Sequence, residues 1–162
     1  MSRTTLTISL ILVSLTAGIL LSGCQIATPF KSVAAEVNGL APDAELLVVV
    51  THATLGPKGR GDFYRQTGMV VDSLKDQPGL IGHSIRRTIA GDKAWTMTIW
   101  KDEASMNDFV RGQAHRTAVE KGDASMMDSD FHRFTIPASQ ARLSWKQAFA
   151  KIAAMDGVDY AE

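Results

Sequence analysis

From Glu45 to His52 the chain is a nearly unbroken run of apolar and β-branched residues, Leu46-Leu47-Val48-Val49-Val50-Thr51, the composition of a strand covered on both faces. The period then lengthens. Phe63, Thr67, Val70, Val71 and Leu74 fall at helical spacing with charged residues mostly between them, which predicts an amphipathic helix ending before the Pro78-Gly79 turn. Past that turn, Ile81, Ile85 and Ile89 alternate with small or polar residues and place His83 on their face, Gly91-Asp92 reverses the chain, and Trp95, Met97 and Ile99 alternate with threonines. This pattern predicts a hairpin.

Met106, Phe109 and Val110 set the buried stripe of a second helix, with Asp102 as its N-cap and Glu103 in the first turn, where the helix dipole favours a carboxylate. Gly112 is placed to break that helix, and Gln113 to Lys121 restarts it before Gly122. Phe131 to Ile136 reads as a fourth strand stopped by Pro137. Trp145, Ala148, Phe149 and Ile152 mark a C-terminal amphipathic helix with Gly157 as its cap. The order β-α-β-β-α-β plus one helix is the ferredoxin-like α+β plan. Helices on one face of a four-stranded antiparallel sheet leave the other face bare, with little chain left to cover it, so a homodimer through the sheet faces is expected.

The first two dozen residues do not belong to this plan. Arg3 precedes a nearly uncharged apolar run, Leu6 to Leu21, which closes on Leu21-Ser22-Gly23-Cys24 and resembles a bacterial lipoprotein signal peptide with its lipobox. The run is on the short side of the roughly 20 residues that span a bilayer, and serines and threonines weaken it, which favours a cleaved signal over residues 1–23 against a retained anchor. The Cys24 thiol would accept the diacylglyceryl group, and several acyl chains hold a protein on a membrane effectively for good. Pro29, Asn38-Gly39 and Pro42 punctuate the following stretch, which has no sustained period, although Val33 to Val37 suits a short helical turn. Residues 24–44 are expected to be the lipidated cysteine and a tether, and 45–160 the folded domain. Gln25 after the cysteine resembles the Gram-negative sorting signal for the periplasmic face of the outer membrane.

Composition narrows the chemistry. With 162 residues, 45% of them hydrophobic, there is room for one domain, and a formal charge of zero gives no general pull toward nucleic acid. The single cysteine rules out an internal disulfide or a cysteine metal cluster. The glycine-rich Leu55–Gly61 loop matches neither the dinucleotide fingerprint nor the P-loop, and no His-x-His or His-Glu-x-x-His spacing supports a metal site.

Pro78-Gly79-Leu80-Ile81-Gly82 before the second strand, Trp100 closing the third with Asp102-Glu103 after it, Phe109, and His115 after the Gly112 break together resemble the antibiotic biosynthesis monooxygenase-like domains of the dimeric α+β barrel superfamily. The resemblance covers about Leu46 to Ile136. It implies a homodimer with two sheets face to face, a pocket between each sheet and its helices, and no cofactor. Some members resemble cofactor-free monooxygenases of polycyclic phenols; others degrade haem with an asparagine, a tryptophan and a histidine. Trp100 and His115 match the last two loosely, but Thr51 and His52 stand where the asparagine is required, which argues against haem chemistry.

His115, Trp100 and His83 are the candidate catalytic residues. Counted on an unbroken helix, His115 lies about 180° from Met106, and only a reset of phase at Gly112 turns it toward a pocket, where a group of pKa near 6.5 could take a proton from a phenol. His83 either lines a pocket or sits at a dimer seam. Trp95 and Trp100 must point to opposite faces, as must Arg86 and Arg87, one of which needs a buried acceptor. His52 and His132 come together if the first and fourth strands are neighbours. Two function classes follow: a cofactor-independent oxygenase of an aromatic or quinone-like molecule, or a non-catalytic lipoprotein domain that binds a small apolar or aromatic ligand or serves a structural role.

Overall fold

The computed structural model of the chain describes residues 24–160, and the expected signal peptide over residues 1–23 lies outside them. The described elements are β1 (Gln25–Ala27), β2 (Lys31–Ser32), α1 (Ala34–Val37), β3 (Glu45–Leu55), α2 (Arg60–Ser73), β4 (Leu80–Thr88), β5 (Lys93–Trp100), α3 (Glu103–Arg111), α4 (Gln113–Gly122), β6 (Met126–Pro137) and α5 (Trp145–Asp156). The sheet is antiparallel, in the order β1-β4-β5-β3-β6, with β2 also on the outer edge of β4. Its four long strands, β4-β5-β3-β6, have the expected ferredoxin-like order. The predicted boundaries hold at the caps: Asp102 Oδ1 accepts from the Ser105 amide at 2.8 Å, and Gly157 ends α5 in the left-handed region at φ 70°.

Alternation along the strands divides the core in two. Leu46, Val48 and Val50 of β3, Trp95, Met97 and Ile99 of β5, and Phe134 and Ile136 of β6 share one side. Leu47 and Val49 face the other, where Leu80 and Trp100 meet Leu74 of the α2 end and Met106 and Phe109 of α3. A register shift between Leu80 and Gly82 breaks the simple period in β4. Ile81 consequently joins the first cluster, whereas His83 and Ile85 lie opposite Thr98 and Thr96 on the helix side. The expectation that Ile81 and His83 share a face is thus corrected by the bulge.

The sheet face expected to be bare is covered. After β6 the chain turns back through Ala141 and Leu143, and α5 lays Trp145, Ala148, Phe149 and Ile152 across it, with Tyr160 beyond the helix end. A capping box at Ser144 and Gln147 starts the helix, and the Trp145 indole donates to Ser84 Oγ at 2.9 Å. With α5 in place, that face has no free sheet to pair, which removes the bare-sheet reason for a homodimer and leaves the one that the family resemblance gives.

The stretch expected to be a tether is also part of the fold. β1 and β2 pair with opposite ends of β4, the Cys24 carbonyl accepts from the Ile89 amide at 2.9 Å, and Phe30, Val37 and Leu40 pack on the first core cluster. Gly82 permits this crossing, since a Cβ there would lie 2.5 Å from the Phe30 ring. α1 is the expected short turn. No helix among the described residues is long and apolar enough to cross a membrane.

Candidate functional site

Between the sheet and the layer of α2, α3 and α4 lies a cavity of about 530 Å³. Its floor is Val49 and Thr51 of β3, His83 and Ile85 of β4, and Thr96, Thr98 and Trp100 of β5; its walls are Val70 and Leu74 with Met106 and Phe109. Val110, Val119 and Phe131, all partly or largely exposed, form an apolar rim together with Arg116, Glu120 and Arg133. This is a small-molecule site by size and lining, with an apolar body and few polar groups.

The three candidate residues named from the sequence, His115, Trp100 and His83, all line this one cavity. Gly112 is extended, at φ −60° and ψ 147°, and restarts the chain as α4 in a new direction. His115 is turned inward by that break and packs edge-on against Phe109, whose ring in turn tilts against Trp100. Burial holds the His115 pKa below 6.5, partly opposed by a hydrogen bond to the Val110 backbone. A neutral imidazole that turns its one N–H to a backbone carbonyl keeps the other nitrogen as an acceptor.

His83 is 8% exposed and neither ring nitrogen has a partner among the described residues. Its pKa is also lowered, first by burial and then by the charge of Lys31, its register partner on β2. Trp100 is buried and its indole donates to Thr98 Oγ1 at 2.8 Å. Both imidazoles are consequently neutral at pH 7, the state in which a histidine can accept a proton.

The remaining candidates sit elsewhere. His52 and His132 do come close, since β3 and β6 are neighbours, but on the α5 side of the sheet. His52 Nδ1 lies 3.2 Å from Asp130 Oδ2; His132 Nδ1 lies 2.6 Å from Asp156 Oδ2 and its Nε2 2.8 Å from the Tyr160 hydroxyl. Trp95 is on that side too, stacked on His52. Arg86 finds its acceptor in Gln25 Oε1 and lies over the Phe149 ring, while Arg87 lies over Tyr64. Among the described residues no cluster suits a metal ion. Sequence reasoning passed over the threonines of the cavity floor and Lys31; the Thr96-Met97-Thr98 alternation was visible, but a threonine on a strand is ordinary until its neighbours are known.

Residues 47–121 match the family model described as antibiotic biosynthesis monooxygenase. Over these residues the chain is an antibiotic biosynthesis monooxygenase-like domain. The match takes in β3 through α4, and with them His83, Trp100 and His115; β6 and α5 lie beyond it. No curated protein matches the chain. Among solved structures, a conserved protein from Methanosarcina mazei Go1 superposes with a TM-score of 0.53 at 13% identity, covering 57% of this chain and 94% of that one. A Pseudomonas aeruginosa protein gives 0.54 at 10% identity, over 59% and 98% of the two chains. A candidate antibiotic biosynthesis monooxygenase from Caulobacter crescentus CB15 gives 0.52 at 10% identity, over 57% and 90%. At these identities the likeness is one of fold. In all three the shared part is little more than half of this monooxygenase-like chain, which leaves room for its covering helix and its edge strands.

Proposed function

We propose that this chain is a lipid-anchored protein whose monooxygenase-like domain oxidises an aromatic or quinone-like small molecule without a cofactor. The observation that carries this reading is that His115 and His83, both held neutral, open onto one apolar cavity beside Trp100. An organic molecule with paired electrons reacts with oxygen once it becomes an electron-rich anion. His115 at the half-buried rim is suited to take the phenolic proton and pass it to water, and the apolar walls keep the anion beside oxygen. For an anthrone-type substrate the balance closes without a reductant: the methylene carbon loses two hydrogens, gains one oxygen atom as a carbonyl, and the second oxygen atom leaves as water.

Oxygen uptake by the purified protein with anthrone and hydroquinone substrates, without added cofactor, tests this. His115→Ala should slow turnover roughly 10²-fold or more, and the wild-type rate should fall only below pH 6.5, because the lowered pKa keeps the base competent above it. Absence of uptake, or an unchanged His115→Ala rate, favours the ligand-binding alternative.

The anchor is proposed from the lipobox. Because Cys24 is exposed and immediately precedes the paired strand β1, acyl chains there would hold the sheet edge at the bilayer surface with no stalk between, in the cell envelope. Mass spectrometry of the membrane fraction should find a diacylglyceryl-modified Cys24, and Cys24→Ala should release the protein; full retention of that variant in membranes overturns the anchor.

A further inference from the structure

Resting on the oxygenase reading, we propose that Thr98 and His83 form a subsite for the ionised oxygen of the substrate, with Trp100 and Lys31 as its positioning residues. The first observation is a buried polar side chain with nothing to bind. His83 is more than nine-tenths buried, faces the cavity, and has two unpartnered nitrogens. A buried imidazole left unpaired carries a desolvation cost that natural cores rarely retain, unless a ligand supplies the partner.

The second observation is the hydrogen-bond arithmetic at Thr98. It lies directly opposite His83 in the β4–β5 register, so the two side chains stand side by side on the cavity floor. The Trp100 indole, which can only donate, points its N–H at Thr98 Oγ1. That occupies an acceptor position on the hydroxyl and orients its proton away from the indole. Among the described residues this hydroxyl has no hydrogen bond besides the one from Trp100. A hydroxyl proton and a neutral imidazole N–H, adjacent on residues of the cavity floor, form a two-donor cradle suited to a phenolate or enolate oxygen. Trp100 therefore acts through Thr98 and does not itself need to touch the reacting oxygen.

The third observation is charge. Lys31 stands opposite His83 on β2, on the same face, and it comes from the N-terminal segment that precedes the family-matched residues 47–121. A cation there disfavours the imidazolium and favours an anion beside the ring. This divides the labour between the histidines: His115 at the rim removes the proton, and His83 beneath it remains a neutral donor. The other charged or titratable groups around the cavity are His115, Arg116 and Glu120 of α4 and Arg133 of β6. The two arginines reinforce an anion and Glu120 opposes it.

The test is spectroscopic and needs no turnover. The full chain, purified in detergent, is titrated with 4-nitrophenol, whose ionised form is coloured, and the pH at which the bound phenol ionises is compared with that of the free phenol. Binding should lower that pH in the wild type. Thr98→Val should weaken binding of the ionised form roughly tenfold or more while Thr98→Ser retains it. Trp100→Phe, which keeps the ring against Phe109 but loses the indole N–H, should show part of the Thr98→Val loss, and Lys31→Met should raise the ionisation pH with Lys31→Arg restoring it. If Thr98→Val binds and ionises the phenol like the wild type, the subsite assignment fails while the oxygenase reading survives on oxygen uptake. If the wild type binds no phenol at all, both fall.

Discussion

The two faces of the sheet carry the same kinds of residue and treat them in opposite ways. On the α5 side, His132 is held between Asp156 and Tyr160, His52 is paired with Asp130, and the Trp145 indole is bonded to Ser84. On the cavity side, among the described residues, His83 has no partner, and His115 is tied to the Val110 backbone and packs on a ring. Four histidines thus fall into a tied pair and a free pair. Tied imidazoles hold a helix onto a sheet; free ones, kept neutral by burial, remain available to something that enters. The sealed face is not perfectly satisfied, since His52 Nε2 and the Trp95 indole lack partners among the described residues. Those two rings stack on each other, however, both pack against Tyr160, and neither lines the cavity under the helices. The proposed roles of His83 and His115 therefore rest on the space they line and not on burial alone.

The contrast breaks most severely if α5 is detached. Trp145→Ala removes a buried indole that packs on Phe149 and donates to Ser84, and should cost about 3–5 kcal/mol. Urea denaturation measures this. Light scattering of the same variant reads the second consequence: with the sheet face loosened, self-association should appear that the intact protein does not show through that face. A wild-type protein that already dimerises through this face, with cross-links between sheet residues such as Val48 of two chains, would mean that α5 leaves the sheet in solution.

A smaller effect separates the two histidine pairs directly. His132→Ala leaves the Tyr160 hydroxyl without its nearer partner and should destabilise the fold by about 1–3 kcal/mol; Asp156, partly exposed, rehydrates and adds little. Turnover by the folded fraction should hardly change. His115→Ala should do the reverse, with a large loss of turnover and a denaturation midpoint near that of the wild type. If both variants lose stability alike and neither affects turnover, the distinction between the faces has no functional content.

Much of this division was legible in the chain. Strict alternation in Trp95-Thr96-Met97-Thr98 assigns faces without further information, and Gly112 between two helical runs signals the change of phase that turns His115 inward. What could not be read was non-local. Trp145, Ala148, Phe149 and Ile152 form an evident apolar stripe, but a stripe says that a helix is buried, not against what. β1 and β2 are three and two residues long, too short for any period to register, and they exist because β4 offers an unpaired edge and Gly82 leaves space for Phe30. The bulge after Leu80 moves Ile81 away from His83; Gly82 beside it is the one sign of it, since a glycine within a strand often marks a bulge or a close approach. Lys31, counted as part of a tether, is brought beside His83 by the same edge pairing.

The mildest test concerns the tie at the C-terminal end of the sealed face. Burial, and then the Asp130 carboxylate, push the Tyr160 hydroxyl from its ordinary 10.0 up to about 12. A phenol is neutral when protonated, so between these two values the unfolded chain has released the proton while the folded chain still holds it. The folded state binds more protons there, and stability falls as pH rises. The contribution of this tie is fully present below pH 10 and is lost as pH climbs through about 12. Lysines titrate in the same range, so the measurement is a difference: urea denaturation of wild type and Tyr160→Phe at intervals from pH 9 to 12. At pH 9 the variant should be less stable by about 1 kcal/mol, the worth of a hydrogen bond to His132. The gap should narrow and then reverse, because above pH 10 the unfolded wild type gains by ionising a phenol that the variant does not possess. A gap that stays constant across the range would mean that Tyr160 is already open to solvent, and that the end of α5 is held to the sheet by its apolar side chains alone.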